Sequence, residues 1–565
     1  MIRSLLRRLW HLPAQQCRSQ VEPGWVTMRD GIRLSTSHVW PIDYQGDAPT
    51  ILIRTPYGAE GAWSSSRLAA RLIAESGYHV VVQNVRGRYG SEGVFQPFAN
   101  ETEDGVDTLD WLERQNWHQG KVGLFGGSYL AYAEWCMLAQ ASERIDAVVS
   151  AISSRSLYHV FYRGGVFALQ NAFEWGLTVG REQSIPEREV DLERGLKHWP
   201  LIEGDRVALR EVPWLREWIE HNRKDEYWEA IEPSLPTSLP PTLLIAGWYD
   251  FFLPTQLDDF HSLQEIAENN QSPAPELIIG PWSHGLPAHP KWWRQELNGF
   301  ILRESIQHLN RTFRESKSDI PAVPVRYFSA GDEHWHQSPT WPPAEIQLRS
   351  LYLTARSGKG SLSWESEKET LDSTLGFTHD PKRPHTTLGG ALFGSKAGVK
   401  DQSRVNKSNE HHLVYDSKPL QTELALVGSI QLNVFFSSDA QDADIYAHLL
   451  DVSPDGRIEN ISEGTQRLRW RNIADSVATP NFLAPGQTEE VQVVFAPTAR
   501  TILAGHKLRL EIAGSNFPSY DRNPGSKEEP GLATDDQLLK SEHLIHHGVN
   551  ADSKLTLSIR PNHRV

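Results

Sequence analysis

Six short runs in this 565-residue chain have a continuous apolar centre. They are TILIRTPY (50–57), YHVVVQNVRG (78–87), KVGLFGGS (121–128), IDAVVSAIS (145–153), PTLLIAGWYD (241–250) and ELIIGPWSH (276–284). A strand with one face in water alternates apolar and polar side chains. Uninterrupted runs instead suit a parallel sheet covered on both faces. Helical candidates lie between them, among them 63–76 and 103–115. This alternation predicts an α/β doubly wound sheet.

The pattern stops between residues 154 and 236. That stretch is rich in Trp, Arg and Glu and has helical spacing without strand runs, and Pro236, Pro240 and Pro241 punctuate its exit. It reads as a helical insertion. Past about residue 320 the texture becomes alternating, as in KLRLEIAG (507–514) and KLTLSIR (554–560). Further strands are expected at 346–354, 429–437, 444–452 and 490–496, which together predict an antiparallel β-sandwich. The polar, Gly-rich segment 355–410 reads as a long excursion. The expected division is an N-terminal tail (1–24), the α/β domain in two parts (25–153 and 237–318), the insertion (154–236) and the sandwich domain (319–565).

Composition removes several classes of function. With 56 basic and 71 acidic residues the formal charge is −15, so no nucleic-acid footprint is expected. Two cysteines, Cys17 and Cys136, are too few for a disulfide framework. The N-terminal MIRSLLRRLWHL is interrupted by Arg7 and Arg8, so it reads as a short basic helix or frayed tail, not a secretory signal. No apolar stretch approaches the ~18 residues of a membrane span. The expectation is a soluble, cytoplasmic protein.

Ligands of open α/β sheets bind outside the carboxyl ends of the strands. The run ending at 126 delivers Ser128, the run ending at 247 delivers Asp250, and the run ending at 280 delivers His284. Ser, Asp, His is the chain order of an α/β hydrolase. A serine hydroxyl is a weak nucleophile until an imidazole can accept its proton, and a carboxylate fixes that imidazole's tautomer. Gly126 and Gly127 suit a crowded nucleophile turn, and the helix starting near Tyr129 directs N–H groups at a developing oxyanion. Asp258, Asp259, His289 and His334 are rivals for the acid and base roles.

No cofactor or metal is implied. His411-His412 and His546-His547 are adjacent pairs, unlike the spacings zinc favours. DAQDAD (439–444) lacks the glycine and terminal Glu of a calcium loop and reads as a solvated turn.

These motifs carry a resemblance. GGSYLA (126–131) resembles the G-x-S-Y-x-G elbow of the cocaine esterase and X-prolyl dipeptidyl-peptidase (S15-type) family of serine hydrolases, with Ala131 in place of the last glycine. GWYDFF (247–252) and GPWSH (280–284) resemble that family's acid and histidine motifs. RTPYG (54–58) resembles its oxyanion segment, and VRGRYGSEGVF (85–95) its Arg-Gly and Ser-Glu-Gly loop. DPKRPHTTLGG (380–390) and AGHKLRLEIAGSNFPSYDRNP (504–524) are similar to its C-terminal jelly-roll signatures. The resemblance spans nearly the whole chain. It implies an α/β-hydrolase domain with an inserted helical cap and a C-terminal jelly roll. It also implies an oxyanion hole from the Tyr57 hydroxyl and the Tyr129 backbone N–H, with Phe161, Trp175 and Phe252 as weaker candidates for acyl-pocket walls.

The function expected is hydrolysis of carboxylic esters, or of amides, through an acyl-enzyme. A small-molecule ester or amide is the expected partner, and a homodimer is left open. The runner-up is an X-Pro dipeptidyl-peptidase, weakened because only about 24 residues precede the first expected strand where such peptidases commonly carry an extra domain. An α-amino-acid ester hydrolase or acylase is a further alternative. A non-catalytic binding protein is the alternative from another class, and it should have lost a member of the triad. None is missing.

Overall fold

The computed structural model describes residues 2–58, 65–180, 190–292, 296–314, 323–365, 372–405, 411–471, 479–548 and 550–561. The chain forms two compact units. One comprises Met1–Leu157, Ala230–Tyr327 and Gln337–Pro339, the other Tyr158–Glu229, Phe328–His336 and Thr340–Val565. The expected insertion therefore falls largely in the second unit.

Among the described residues ten strands form the first sheet. They are β1 (Arg18–Thr27), β2 (Arg33–Ile42), β3 (Thr50–Thr55), β4 (His79–Asn84), β5 (Val122–Gly127), β6 (Ala147–Ala151), β7 (Thr242–Tyr249), β8 (Glu276–Ser283), β9 (Val325–Ser329) and β10 (His334–Ser338). Their order is β1-β2-β4-β3-β5-β6-β7-β8-β9-β10. The six apolar runs are β3 to β8. Neighbours from β4 through β9 pair in parallel, and almost every residue of β3 to β8 is buried, as continuous apolar character requires. The chain steps from β3 outward to β4, then returns to place β5 on the other side of β3. That reversal opens a crevice at the carboxyl ends of β3 and β5.

Of the two readings of residues 1–24, a short basic helix or a frayed tail, the helix is present, and a strand follows it. A helix, α1, spans Ile2–Leu9, and β1 begins at Arg18. β1 escaped the sequence pattern because it is an edge strand with mostly exposed side chains, and its pairing with β2 tolerates Pro23.

The second unit contains a twelve-stranded β-rich network. Its pairs are antiparallel except for Lys359–Ser363 beside His412–Ser417. Leu508, Leu510 and Ile512 enter its core with Leu555 and Leu557, the residues their alternation selected. The segment expected as an excursion, 355–410, contains two strands, Lys359–Ser363 and Ser373–His379. The second pairs with Ser541–His547, so backbone pairing there outweighs a polar composition. Within Tyr158–Glu229 are helices, including Leu169–Gly180 and Pro213–Glu220, and also a hairpin of Tyr162–Arg163 with Val166–Phe167. Its turn is Gly164-Gly165, both at positive φ, the pair a two-residue hairpin loop favours.

On β2 and β4, His38 Nε2 and His79 Nδ1 are 2.9 Å apart, and the His38 ring lies 4.1 Å from Trp40 and 3.9 Å from Trp117. Burial first, then the neighbouring His79, lowers His38 from 6.5 to about 3. Burial first, then His118, lowers His79 to about 4. Both rings are neutral in the folded chain near pH 7 and gain protons on unfolding below pH 6.5. Their contribution to stability is complete above that pH and is lost as pH falls toward the two folded values. His79→Gln should therefore flatten the fall in thermal midpoint between pH 7 and pH 5. An unchanged slope would place the acid sensitivity elsewhere.

Candidate active site

β5 ends at Gly127, and helix α2 (Tyr129–Ala141) starts two residues later, leaving Ser128 alone at the junction. Ser128 adopts φ 59°, ψ −127°, a strained conformation for a residue with a side chain. Its N–H donates to the Ala151 carbonyl at 2.9 Å, and its carbonyl accepts from the N–H groups of Ala131 and Tyr132. The turn is so tight that a Cβ on Gly126 would lie 2.6 Å from the Leu130 carbonyl carbon and 2.7 Å from the Ala131 nitrogen. Gly127 differs, because a Cβ there would meet nothing nearer than 3.6 Å. The expected demand for two glycines narrows to Gly126.

Asp250 follows β7 and is buried. One carboxylate oxygen, Oδ1, accepts the Phe252 N–H at 2.8 Å, and Oδ2 lies 2.7 Å from His284 Nδ1. His284 follows β8, whose register against β7 shifts between Gly280 and Ser283. Such a bulge re-aims the side chains beyond it. The glycines that open the GWYD and GPWSH motifs make room for it. A Cβ on Gly247 would lie 2.5 Å from the Trp282 carbonyl oxygen, and one on Gly280 would lie 2.2 Å from the Trp282 ring. The Ser283 N–H then donates to the Leu286 carbonyl at 2.9 Å, closing the turn on His284. The imidazole stacks on Phe251, with ring centroids 4.5 Å apart, and its Nε2 is 3.0 Å from Ser128 Oγ. The chain Ser128–His284–Asp250 is thus continuous, and its histidine side chain is only 10% exposed. A hydroxyl so placed can pass its proton to the imidazole while attacking a carbonyl.

The rivals have other partners. Asp259 accepts the Arg155 N–H at 3.1 Å, and burial pushes its carboxyl up to about 7. Burial also raises Asp258, one residue before it on helix α3 (Leu253–Asn270). His289 Nδ1 accepts the Lys291 N–H, and His334 is exposed beside the Asp332 carbonyl. Among the described residues no group of three or more His, Cys, Asp or Glu side chains could hold a metal ion.

Tyr57 emerges just past β3 and is 39% exposed, at the same sheet edge as Ser128 because β3 and β5 run parallel. The Tyr129 side chain turns inward. Its hydroxyl donates to Glu101 Oε1 at 2.8 Å and accepts the Phe98 N–H at 3.0 Å. Glu101 Oε2 is 2.6 Å from Arg54 Nη1, and both groups are buried. Burial raises the Glu101 carboxyl above its ordinary value, while Arg54 and the Tyr129 hydroxyl pull it back. Sequence reasoning missed this network. Its signal was Arg54 inside the apolar run TILIRTPY, since a cation on a fully buried strand requires a counter-charge. Phe252 is buried beside His284, with centroids 5.7 Å apart. Phe161 and Trp175, in the second unit, both stack on Trp218, at 4.4 Å and 5.8 Å.

The fold and the order of its functional strand ends are those of the α/β hydrolases, and the protein is a serine hydrolase. Residues 30–286 match the X-Pro dipeptidyl-peptidase (S15 family), and residues 321–556 match the X-Pro dipeptidyl-peptidase C-terminal non-catalytic domain. Cocaine esterase of Rhodococcus sp. (strain MB1 Bresler) is 29% identical over 94% of this chain and 97% of its own length. An aminopeptidase from a marine sediment Thaumarchaeota archaeon superposes with a TM-score of 0.82 at 22% identity, covering 97% of each chain. An α-amino acid ester hydrolase superposes with a TM-score of 0.81 at 22% identity, covering 97% of this chain and 98% of that one. The chain belongs to the S15-type cocaine esterase and X-prolyl dipeptidyl-peptidase family of α/β-hydrolase serine hydrolases. No helix among the described residues is long and apolar enough to cross a membrane.

The two turn glycines should respond differently to the same change. Gly126→Ala is expected to destabilise by about 1–3 kcal/mol or more through overpacking against backbone, whereas Gly127→Ala should stay within about 1 kcal/mol of the parent. Denaturant titration of both variants makes the comparison. Equal losses would show that the crowding at Gly126 is not what selects glycine.

Proposed function

We propose that the chain is a carboxylic-ester hydrolase working through an acyl-enzyme, with Ser128 as nucleophile, His284 as general base and Asp250 as the group that orients and stabilises the imidazolium. The observation that carries this reading is the hydrogen-bonded chain itself, 3.0 Å from Ser128 Oγ to His284 Nε2 and 2.7 Å from His284 Nδ1 to Asp250 Oδ2. As Ser128 Oγ bonds to the ester carbonyl carbon, its proton passes to His284. The oxyanion that forms takes hydrogen bonds from the Tyr57 hydroxyl and the Tyr129 backbone N–H. Collapse expels the alkoxide, which leaves as the alcohol with the proton from His284. Water then repeats the sequence on the acyl-serine, releasing the acid and restoring Ser128.

The side chains packed against His284 favour an uncharged acyl group. Phe251 and Phe252 supply rings and no charge, and Phe252 serves as an acyl-pocket wall. Free-amine substrates are the second reading, suggested by the aminopeptidase and α-amino acid ester hydrolase among the similar structures. An amine would need a carboxylate held ready for it, and the two residues after Asp250 are phenylalanines. A cytoplasmic location is part of the same proposal.

Ser128→Ala should fold and lose essentially all turnover, and a fluorophosphonate should label the parent at Ser128 by peptide mass. Asp250→Asn should lower kcat by roughly 10⁴ if Asp250 controls the tautomer. Labelling at another serine, or a near-parental Asp250→Asn, would remove these assignments.

Substrate class is read by comparing kcat/KM for a butyrate or benzoate ester with that for a Gly-Pro anilide, free and N-acetylated. The ester should win, and acetylation should matter little. A tenfold advantage for the free-amine anilide, abolished by acetylation, would install the peptidase reading instead.

A further inference from the structure

The peptide group between Pro56 and Tyr57 is held at both ends. Its N–H donates to Thr55 Oγ1 at 3.1 Å. Its carbonyl accepts from Arg88 Nε at 3.1 Å. A peptide group is planar, so gripping both polar atoms fixes the plane, and with it the direction in which Tyr57 leaves the end of β3. The residue after Tyr57 is gripped as well. Gly58 sits at φ +96°, and a Cβ there would lie 2.8 Å from the Tyr89 ring.

Arg88 and Tyr89 belong to one loop, residues 85–95, which leaves β4 at the same sheet edge. This loop is itself rigidly tied. Its Val85 N–H donates to the Thr55 carbonyl at 3.0 Å, and Asn84 Nδ2 donates to the Tyr89 carbonyl at 3.1 Å. The Ser91 hydroxyl donates to the Asn84 carbonyl at 2.8 Å. Gly87, at φ +69°, lets the chain fold back so closely that a Cβ would lie 2.2 Å from the Phe95 nitrogen. The Arg88 guanidinium is clamped over two rings of its own loop, 5.2 Å from the Tyr89 centroid and 5.1 Å from the Phe95 centroid. Phe95 in turn tilts against the Tyr129 ring at 6.4 Å. The loop thus holds the peptide before Tyr57 and lies against the Tyr129 ring.

We propose that Arg88 is a positioning residue for the reaction: by holding the Pro56 carbonyl it fixes the direction in which Tyr57 presents its hydroxyl to the oxyanion. This rests on the reading that Tyr57 donates to the oxyanion. The guanidinium is a permanent donor, so its hold on the Pro56 carbonyl does not depend on pH. The oxyanion takes the Tyr57 hydrogen bond more strongly than the ground-state ester carbonyl does. Arg88 therefore acts on kcat rather than on substrate binding.

The test is a double-mutant cycle on a butyrate ester, with the inhibition constant of a boronic acid as a second readout. Tyr57→Phe alone should lower kcat by about 10²–10³. Arg88→Met, which keeps the apolar stem, should lower kcat by about 10–10² with KM within threefold, and should weaken the boronate in proportion. In the Tyr57→Phe background the same Arg88 change should cost less than threefold, because the group it acts through is gone. Arg88→Lys keeps a donor that can reach the Pro56 carbonyl, without the planar fork, and should recover part of the loss. Should Arg88→Met not fold, Arg88→Lys and Thr55→Val carry the same cycle from the two ends of the peptide. The proposal is overturned if the Arg88 and Tyr57 losses multiply independently, if folded Arg88 variants keep parental kcat, or if KM alone rises. A silent Tyr57→Phe identifies a different failure, that of the oxyanion reading, and takes this proposal with it.

Discussion

A serine held at φ 59° is the constraint on which the rest of the α/β unit depends. The conformation itself costs of order 1–3 kcal/mol, so the neighbours must determine it. They do so from three directions. β6 accepts the Ser128 N–H through Ala151, the first turn of helix α2 donates to the Ser128 carbonyl, and the helix crosses so near Gly126 that any side chain there would collide with it. Strand order sets the scene for this turn. β5 lies beside β3 and β6 in parallel, so its end opens into the crevice where the direction of winding reverses. The half-buried Ser128 hydroxyl is placed there by the sheet's topology and aimed by local strain.

Beneath the site, polar groups fix what apolar packing alone would leave free. Arg54 reaches Gln83 through Nε at 2.9 Å and the Glu101 carboxylate through Nη1, and Glu101 then takes the Tyr129 hydroxyl. Tyr129 contributes the first N–H of helix α2, and Arg54 lies three residues before Tyr57. One buried ion pair therefore links the strand that presents Tyr57 to the helix next to Ser128. A buried pair contributes little net stability but is expensive to break. Glu101 fits that description, since it has Arg54 on one oxygen and Tyr129 on the other.

Legibility in the sequence tracked burial. β3 to β8 could be read because both their faces are covered and their side chains report it. β1 could not, because an edge strand with exposed side chains carries no such pattern. The strands at 359–363 and 373–379 hide in polar sequence for a related reason: their place is set by partners far along the chain, such as Ser541–His547 for the second. At the site, Ser128, Asp250 and His284 were readable because each stands at the end of a legible strand. The Glu101 network was not, because Arg54 announced a missing counter-charge without indicating which of 71 acidic residues supplied it.

The acidic residues after β7 show the same limit, and the structure separates them by their partners. Asp250, Asp258 and Asp259 lie within ten positions, and sequence spacing does not rank them. An orienting acid must remain ionised while the imidazole beside it becomes positive, or it stabilises nothing. Asp259 is poorly suited, because it accepts the Arg155 N–H and burial pushes its carboxyl up to about 7. Asp258, also raised by burial, shares its helix. Asp250 instead stands at the strand end with a backbone N–H on one oxygen and the imidazole on the other. The donors to Asp250 come from the turn after β7 and from His284 at the bulged end of β8, where the glycines at 247 and 280 leave room for Trp282. The partners of the proposed acid are thus set by the local backbone packing that also aims the histidine, rather than by any property of the aspartate in isolation.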